Sequence, residues 1–305
     1  MHQLAELFHL AFRQEDSIYR ISRIAEAAFA GGFTLKKFFA IFVAIVEMFG
    51  CVLFDHPLTP AGDPLDLTGY ELVFCDDFGD DTLNTDVWHY RASGPRRGGF
   101  NSAEAVRLEG GNLILKAFYN ENGEYGAGWY TGMISLNKHY KNGYFEIRCK
   151  CNPGGGFWSA FWIQAEHPYD HELSAGGVGG AELDIFEAME GADKIPALRN
   201  QVTQTIHCNG GDDDPENLDS RVVGSFKVDD IYDTYNTYGL KWTEEEYIFY
   251  INGIETARSS FSKGVSQVEE EVIVSLEMPN EINFDTDYST EFVVDYVKIW
   301  QTAGE

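Results

Sequence analysis

Lysine and arginine are scarce in this sequence. Its 305 residues include 22 Lys and Arg against 49 Asp and Glu, a formal net charge of -27 at pH 7. So negative a chain repels the phosphates of nucleic acids and anionic membrane surfaces. We therefore expect no nucleic-acid partner, and a neutral or cationic partner instead.

Cysteine is also rare, and its spacing excludes a usual zinc knuckle. The five cysteines are an odd number, and the closest pair, Cys149 and Cys151, is separated by a single residue. Zinc-binding pairs are normally spaced by two to four residues. We therefore predict free thiols, with Cys149 and Cys151 on one buried face of a strand.

A standard N-terminal secretory signal is not expected either. Residues 1–30 have the apolar spacing of two amphipathic helices, and about thirty-five residues precede the apolar run Phe38 to Phe54. That run is near the lower length limit of a membrane span, with lysines before it and Asp55 after it. Glu47 within the run is costly in a bilayer. A membrane anchor and a helix packed on the main domain both remain open.

A linker-like segment, residues 55–64, follows the apolar run and contains proline and glycine. We therefore divide the chain into a helical extension or membrane anchor plus linker, residues 1–60, and a main domain, residues 61–305. Short runs rich in β-branched and aromatic residues predict an all-β sandwich in the main domain. These runs are YELVFC, NLILKAF, GYFEIRCKC, FWSAFWI, ELDIF, QVTQTIHC, NTYGLKW, YIFYING, EVIVSLEM and EFVVDYVKIW.

The run ELDIFE places three carboxylates close together. In a strand, alternation puts Glu182 and Asp184 on one face. Glu187 lies at an odd offset from Glu182 and would point to the other face of a regular strand. One extra residue, a β-bulge at Ile185 or Phe186, would return Glu187 to the face of the other two acids.

Three acids on one face suit glycosidic bond hydrolysis. Like charges raise one another's pKa and cost stability, so a purely structural strand has little reason to align them. A retaining glycosidase needs an ionised carboxylate as nucleophile and a protonated one as acid, about 5 to 5.5 Å apart. Taken alone, alternating acids are also common on solvated sandwich faces.

Two tryptophans upstream strengthen the interpretation as a sugar site. Trp158 and Trp162 are four residues apart in FWSAFWI, so they share one face of a strand, while Phe161 points to the core. Sugar rings stack on such aromatic surfaces. Core packing of both tryptophans is the structural alternative.

From about Tyr70 to Gln301 the chain resembles glycoside hydrolase family 16, the family of laminarinases, mixed-linkage glucanases and agarases. The resemblance rests on LVFCDDFGDDTLNTDVW, GNLILKA, GYFEIRCKCNPGGGFWSAFW, ELDIFE, YGLKWTEEEYIFYING and VVDYVKIW. It implies a two-sheet, concanavalin-like jelly roll with a substrate cleft. By resemblance, Glu182 is the nucleophile, Glu187 the acid/base and Asp184 the acid between them.

The same resemblance implies further site residues. Trp158, Trp162 and His207 would line the cleft, and Asn101 would bind sugar. A structural calcium ion found in many members would lie near Asp295, Gly111 and Asp76, away from the chemistry. No cofactor is expected for the reaction itself.

The bulged acid motif and the acidity favour an endo-acting enzyme on β-1,3-glucan or mixed β-1,3-1,4-glucan. The basic cluster GPRRGG, with Arg96 and Arg97, keeps a charged galactan open. An agarase-type galactanase, a transglycosylase and a lectin-like binding module are the alternatives. We expect a monomer that is extracellular or attached to the cell surface, with residues 38–54 as one candidate for a membrane attachment.

Overall fold

The computed structural model describes residues 58–154, 156–168, 177–188, 198–209, 218–260 and 264–303. Most of the predicted helical extension, residues 1–57, lies outside these residues, including the apolar run Phe38 to Phe54 and the first three residues of the linker. No helix in this described part is long and apolar enough to cross a membrane. The described residues belong to the unit Pro57–Glu305.

Strands dominate the described residues, and a short 3-10 helix spans Ala103–Ala105. In chain order the strands are β1 (Tyr70–Asp76), β2 (Trp88–Tyr90), β3 (Gly94–Arg96), β4 (Gly99–Asn101), β5 (Val106–Leu108), β6 (Leu113–Gly123), β7 (Gly126–Thr131), β8 (Met133–Leu136), β9 (Gly143–Lys150), β10 (Trp158–Gln164), β11 (Glu182–Ala188), β12 (Gln201–Asn209), β13 (Leu218–Lys227), β14 (Asn236–Trp242), β15 (Tyr247–Ile251), β16 (Ile254–Ser259), β17 (Glu271–Glu277) and β18 (Ser289–Thr302).

The described strands form two sheets, which confirms the predicted all-β sandwich of jelly-roll type. One sheet has seven strands in the order β13-β12-β11-β10-β17-β8-β2. The other has eleven strands, nine of them in the order β16-β15-β14-β9-β18-β6-β7-β4-β3, with β1 pairing β18 and β5 pairing β6. Each of the ten runs predicted from the sequence overlaps a strand, with ends that differ by at most two residues except in β6, which continues beyond NLILKAF to Gly123.

In the seven-stranded sheet, side chains at alternate positions of a strand point either to the core between the sheets or to the opposite, outer face. In β17, Val272, Val274 and Leu276 belong to the main apolar cluster between the sheets. Glu271 and Glu277, at the alternate positions, point to the opposite face. We call this opposite side the acidic face. It carries Trp158, Trp162, Gln164, Glu182, Asp184, Glu187, His207, Glu271, Ser275 and Glu277.

Aromatic side chains join the two sheets directly beneath the acidic face. The ring of Phe186 in β11 stacks on Tyr238 of β14, with centroids 4.0 Å apart. It also meets Phe292 of β18 edge-on at 6.2 Å. Such pairs contribute about 0.5–1.5 kcal/mol beyond the buried area. They fix β11 against the other sheet at the acidic motif.

The described cysteines agree with the prediction of thiols. Cys75, Cys149, Cys151 and Cys208 form no disulfide, and Cys51 lies outside the described residues. Cys149 and Cys151 are both buried in the main apolar cluster, as predicted, although Cys151 lies one residue beyond the end of β9. They pack there as small apolar side chains.

A buried carboxyl group, that of Glu270, lies beside the start of β11, the strand that carries the three acids. Glu270 is fully buried, and its Oε1 accepts a hydrogen bond from the backbone amide of Ala181 at 3.0 Å. Burial raises the pKa of Glu270 to about 8, against the lowering effect of hydrogen bonds from Ser266 and Ala181. Glu270 is therefore uncharged in the folded protein at neutral pH.

This carboxyl group makes stability depend on pH. The pKa of Glu270 is higher in the folded protein than in the unfolded chain, where it is near 4.5. The stability that Glu270 contributes through this shift is therefore fully present below pH 4.5 and is lost as pH rises toward 8. As pH rises through this range, we expect the free energy of unfolding of Glu270→Gln to rise relative to that of the wild type, by about 2–4 kcal/mol over the whole range. Chemical denaturation between pH 4 and 9 measures it. Glu269→Gln, at an exposed neighbour, is the control. A pH-independent difference between wild type and Glu270→Gln would contradict the prediction.

Candidate active site

A bulge in β11 brings three carboxylates to one face. Opposite β12, Asp184 pairs with Thr205 and Glu187 with Thr203, so the register shifts between these acids. Opposite β10, Trp162 pairs with Asp184 and Phe161 with Phe186, which leaves Ile185 as the extra residue. Ile185 and Phe186 are both buried in the core. The predicted bulge is confirmed.

Asp184 is the most buried of the three acids, with 4% of its surface exposed. Its pKa is raised to about 8, mainly by burial and also by Glu187 and Glu182, against the lowering effect of the contact with His207. His207 Nε2 lies 3.1 Å from Asp184 Oδ2. Burial lowers the pKa of His207, but the contact with Asp184 outweighs this and leaves it above its usual range. The two residues can therefore share a proton at neutral pH.

Glu187 is held by the first of the two tryptophans. Trp158 Nε1 donates a hydrogen bond to Glu187 Oε1 at 2.9 Å. Burial raises the pKa of Glu187, with a further contribution from Glu182 and Glu277, while the Trp158 bond lowers it. Glu187 therefore holds its proton to a higher pH than an exposed glutamate does.

Glu182 is positioned by a relay of side chains that reaches across three strands. Gln164 Nε2 donates to Glu182 Oε2. Arg91 Nη2 in turn donates to Gln164 Oε1 at 2.6 Å, and Arg91 Nε donates to Glu271 at 2.7 Å. Sequence reasoning did not identify this relay. The period of two that aligns Trp158 and Trp162 also places Gln164 on the same face, which is the signal that could have found it.

The two tryptophans lie on the acidic face, as predicted, yet both are largely buried. Trp162 Nε1 donates to Ser275 Oγ at 3.0 Å. The guanidinium of Arg91 lies 5.0 Å above the Trp162 ring, and that of Arg97 lies 4.8 Å above Trp158. Cation–π contacts therefore cover part of each ring. Stacking of sugar on these rings stays a prediction.

Asn101 lies in β4 of the other sheet and is buried. Its Oδ1 accepts a hydrogen bond from Thr131 Oγ1 at 2.9 Å, and its Nδ2 lies 4.0 Å from Met133 Sδ. Met133 belongs to a small apolar cluster with Trp162 on the acidic face. Asn101 thus lies next to a member of this cluster, and its contact with sugar stays a prediction.

The residues expected to bind calcium already have protein partners. Asp295 forms an ion pair with Arg148. Both carboxylate oxygens of Asp76 accept hydrogen bonds, from the indole of Trp88 and the amide of Phe78. Gly111 lies in an exposed turn with a φ of 73°. A cation at this place would compete with the guanidinium of Arg148 for Asp295. The calcium site stays a prediction.

A different group could hold a cation. Within the described residues, one ligand atom each of Glu182, Asp184 and His207 lies within 4.8 Å of the others. Two carboxylates and an imidazole suit divalent transition metals. The same three groups, with Glu187 beside them, also suit acid–base chemistry.

Two acids and three arginines complete the face. The alternation of β17 brings Glu271 and Glu277 to it, a placement that sequence reasoning missed although EVIVSLEM carries the period. Arg96 and Arg97, identified in the sequence as a basic cluster near the predicted site, contact Glu277 at 2.6 and 3.4 Å. The basic cluster therefore lies on the acidic face.

Comparisons with known proteins agree with this geometry. The family model "Glycosyl hydrolases family 16" matches residues 101–283, more than half of the chain. "Endo-1,3-1,4-beta-glycanase ExsH" of Rhizobium meliloti (strain 1021) is 35% identical over 136 residues, which cover 45% of this chain and 24% of ExsH. "Endo-1,3-1,4-beta-glycanase EglC" of the same organism is 28% identical over 185 residues, 60% of this chain and 35% of EglC. The matches thus span about a quarter to a third of these relatives.

A solved structure shares the fold. SCLam, "a non-specific endo-beta-1,3(4)-glucanase from family GH16", aligns with a TM-score of 0.63 at 20% sequence identity. The alignment covers 81% of this chain and 98% of SCLam. At this identity the likeness describes the fold alone.

The relay to Glu182 can be tested by a double-mutant cycle. We expect Arg91→Met and Gln164→Leu each to lower the free energy of unfolding by about 1–2 kcal/mol, because each leaves a polar partner unpaired. The double variant should lose less than the sum, since both changes break one relay. Urea denaturation measures all four proteins.

A matched pair provides the control. Arg107 pairs with Glu109 and Glu291 on the other sheet and shares no partner with Gln164. Arg107→Met and Gln164→Leu should therefore add within about 0.5 kcal/mol. Full additivity of Arg91→Met and Gln164→Leu would show that no relay couples them.

Proposed function

The chain belongs to family 16 of the glycosyl hydrolases, and we propose that it is an endo-acting retaining β-glycosidase of β-1,3-glucan or mixed β-1,3-1,4-glucan. The observation that carries the proposal is the alignment of Glu182, Asp184 and Glu187 on one face by the bulge in β11. Two carboxylates with different environments are what double displacement at an anomeric carbon requires.

Glu182 acts as the nucleophile in this proposal. Its carboxylate attacks the anomeric carbon while the glycosidic oxygen leaves, which gives a covalent glycosyl-enzyme intermediate. The amide of Gln164, itself held by Arg91, supports the role because it fixes the direction of one Glu182 oxygen. An oriented nucleophile needs less reorganisation at the moment of attack.

Glu187 supplies and then removes the proton. As an acid it protonates the leaving oxygen, and as a base it then activates the water that releases the sugar from Glu182. The raised pKa of Glu187 supports this role, because burial and the nearby acids favour its protonated form before attack. Once Glu182 is bonded to sugar and neutral, one neighbouring negative charge is gone and Glu187 ionises more easily.

Asp184 and His207 lie beside the reacting pair. Their shared proton can shift between the 3.1 Å partners as the charges on Glu182 and Glu187 change during the reaction. We assign both residues to charge balance rather than to bond making. The predicted calcium site near Asp295 has no part in this chemistry.

The substrate assignment rests on the relatives and on charge. ExsH and EglC carry the name endo-1,3-1,4-beta-glycanase, and SCLam is described as a non-specific endo-beta-1,3(4)-glucanase. A β-glucan accordingly ranks before a galactan. Transfer of the sugar to another sugar shares the same intermediate, and product lengths distinguish it from hydrolysis. A large polymer substrate also fits an exterior location of the enzyme.

Replacement of the two glutamates tests the mechanism. We expect Glu182→Gln to lower reducing-sugar release from laminarin and barley mixed-linkage glucan by at least about a thousandfold, because no nucleophile remains. Glu187→Gln should lose similar activity on the polymers but retain cleavage of aryl glycosides with good leaving groups, which need no acid. Agarose and a sulfated galactan are assayed in parallel.

Glu245→Gln, at an exposed position on the other sheet, is the control and should keep full activity. Near-normal turnover by Glu182→Gln would overturn the assignment. Activity confined to a galactan would replace the substrate and keep the mechanism. Binding of every polymer without turnover by the wild type would favour a lectin-like module.

The indole of Trp158 offers a second test. Trp158→Phe keeps a ring but removes the hydrogen bond that favours the charged form of Glu187, so the pKa of Glu187 should rise. The basic limb of the pH profile of kcat/KM reports the acid that must be protonated. We expect this limb to move to higher pH by roughly 0.5–1 unit.

Trp162→Phe is the matched control, because its indole donates to Ser275 rather than to a carboxylate. Its basic limb should stay in place. An unmoved limb in Trp158→Phe, or equal movement in both variants, would rule out Glu187 as the acid that Trp158 tunes.

A further inference from the structure

The arginines on the acidic face differ in how many carboxylates neutralise them. Arg91 faces Glu271, with Nε 2.7 Å from Oε2. Arg96 and Arg97 both form their ion pairs, within the described residues, with Glu277 alone. One carboxylate therefore serves two guanidinium groups, which leaves one positive charge in excess at this end of the face.

Arg97 holds the excess charge. Arg96 contacts Glu277 Oε2 through both Nη2 at 2.6 Å and Nε at 3.2 Å, whereas Arg97 reaches the same oxygen only at 3.4 Å. Both contacts that Arg97 makes with described residues, to Glu277 and to the carbonyl of Met278, use Nη1. Its Nε and Nη2 donors therefore face no protein acceptor there. The Arg97 side chain is 36% exposed.

The chain around Arg97 is shaped to hold it in this place. Arg97 has a φ of 46°, in the left-handed region that residues with a Cβ rarely adopt. A Cβ at Gly98 would lie 2.7 Å from the carbonyl oxygen of Pro279, and one at Gly99 would lie 2.2 Å from that of Trp129. The segment after Arg97 is thus pressed against neighbouring backbone. A strained residue held in this way is typical of a ligand-binding position.

Arg97 lies one aromatic ring away from the candidate acid. Its guanidinium is 4.8 Å above Trp158, and Trp158 donates to Glu187. A sugar unit next to the bond being cleaved would therefore lie within reach of Arg97.

An unpartnered acceptor lies beside this donor. Glu277 is 4% exposed, and its Oε1 is buried without a hydrogen-bond partner among the described residues. This oxygen has almost no accessible surface, so a substrate hydroxyl cannot reach it. The carboxylate meets Arg97 through its other oxygen, Oε2, and therefore orients the guanidinium rather than binding sugar.

We propose that Arg97 forms a subsite for an acidic sugar unit, in which its open donors bind a carboxylate or sulfate substituent while Glu277 holds the guanidinium in place. The inference rests on the proposed glycosidase and names its substrate class as a β-glucan backbone that carries anionic groups. The net charge of -27 does not exclude such a substrate, because charges more than about 10 Å away are largely screened at physiological salt.

Paired substrates test the subsite. Barley mixed-linkage glucan is compared with the same glucan oxidised to carry carboxylates and with its sulfate ester, using wild type, Arg97→Gln and Arg97→Lys. We expect the wild type to favour an anionic substrate, and Arg97→Gln to lower the ratio of anionic to neutral kcat/KM by about tenfold, mainly through KM. Arg97→Lys, which keeps the charge, should retain part of the preference.

Arg107→Gln, which removes an arginine from the other sheet, is the control and should leave the ratio unchanged. The carboxylate and sulfate arms show which anion is preferred. A wild type that favours the neutral glucan, or a ratio that Arg97→Gln does not alter, would overturn the subsite while leaving the glycosidase intact.

A binding measurement distinguishes failure of the proposed hydrolysis from failure of the proposed subsite. If no polymer is cleaved, the proposed hydrolysis fails, and migration through gels that contain each polymer still tests the subsite. The subsite is supported if the anionic polymer retards the wild type but does not retard Arg97→Gln. Equal migration of both proteins would overturn it.

Discussion

One extra residue in β11 determines the chemistry of the acidic face. Without Ile185 as a bulge, Glu187 would point into the core and displace an apolar side chain. The bulge keeps its place because Phe186 stacks on Tyr238 of the opposite sheet and meets Phe292 edge-on. A slip of one residue would break these contacts and expose the aromatic ring. Core packing therefore fixes the direction of the carboxylates.

Each carboxylate that the bulge aligns is met by a donor on a neighbouring strand. Gln164 donates to Glu182, His207 lies against Asp184, and Trp158 donates to Glu187. These contacts offset only part of the cost of burying three acids together, which is why the pKa values of Asp184 and Glu187 stay raised. The residual cost is useful to a glycosidase, because a protonated carboxyl group is the acid that the reaction needs.

The periodicity of a sequence predicts which face of a sheet a side chain lies on better than it predicts which side chains of other strands it contacts. Alternation was sufficient for the ten predicted runs and the bulge, because each depends on residues adjacent in the chain. The strands it missed include β3 and β4, whose GPR and GFN are short and rich in glycine and proline. Pairings such as Arg97 with Glu277 join residues 180 positions apart, and no local pattern encodes them. Roles beyond the aligned acids therefore required the structure.

The arginines show why net charge is a coarse guide to a binding partner. A charge of -27 favours a neutral polymer when the chain is treated as one body. At the acidic face the relevant balance is local, with Arg96 and Arg97 against the single carboxylate of Glu277. The positive excess lies across Trp158 from Glu187, where burial and the nearby acids raise the pKa of the carboxyl and so weaken its preference for the charged form. Acidity over the rest of the surface and an anion subsite within the site are therefore compatible, because contact distances select the substrate and distant charges are screened.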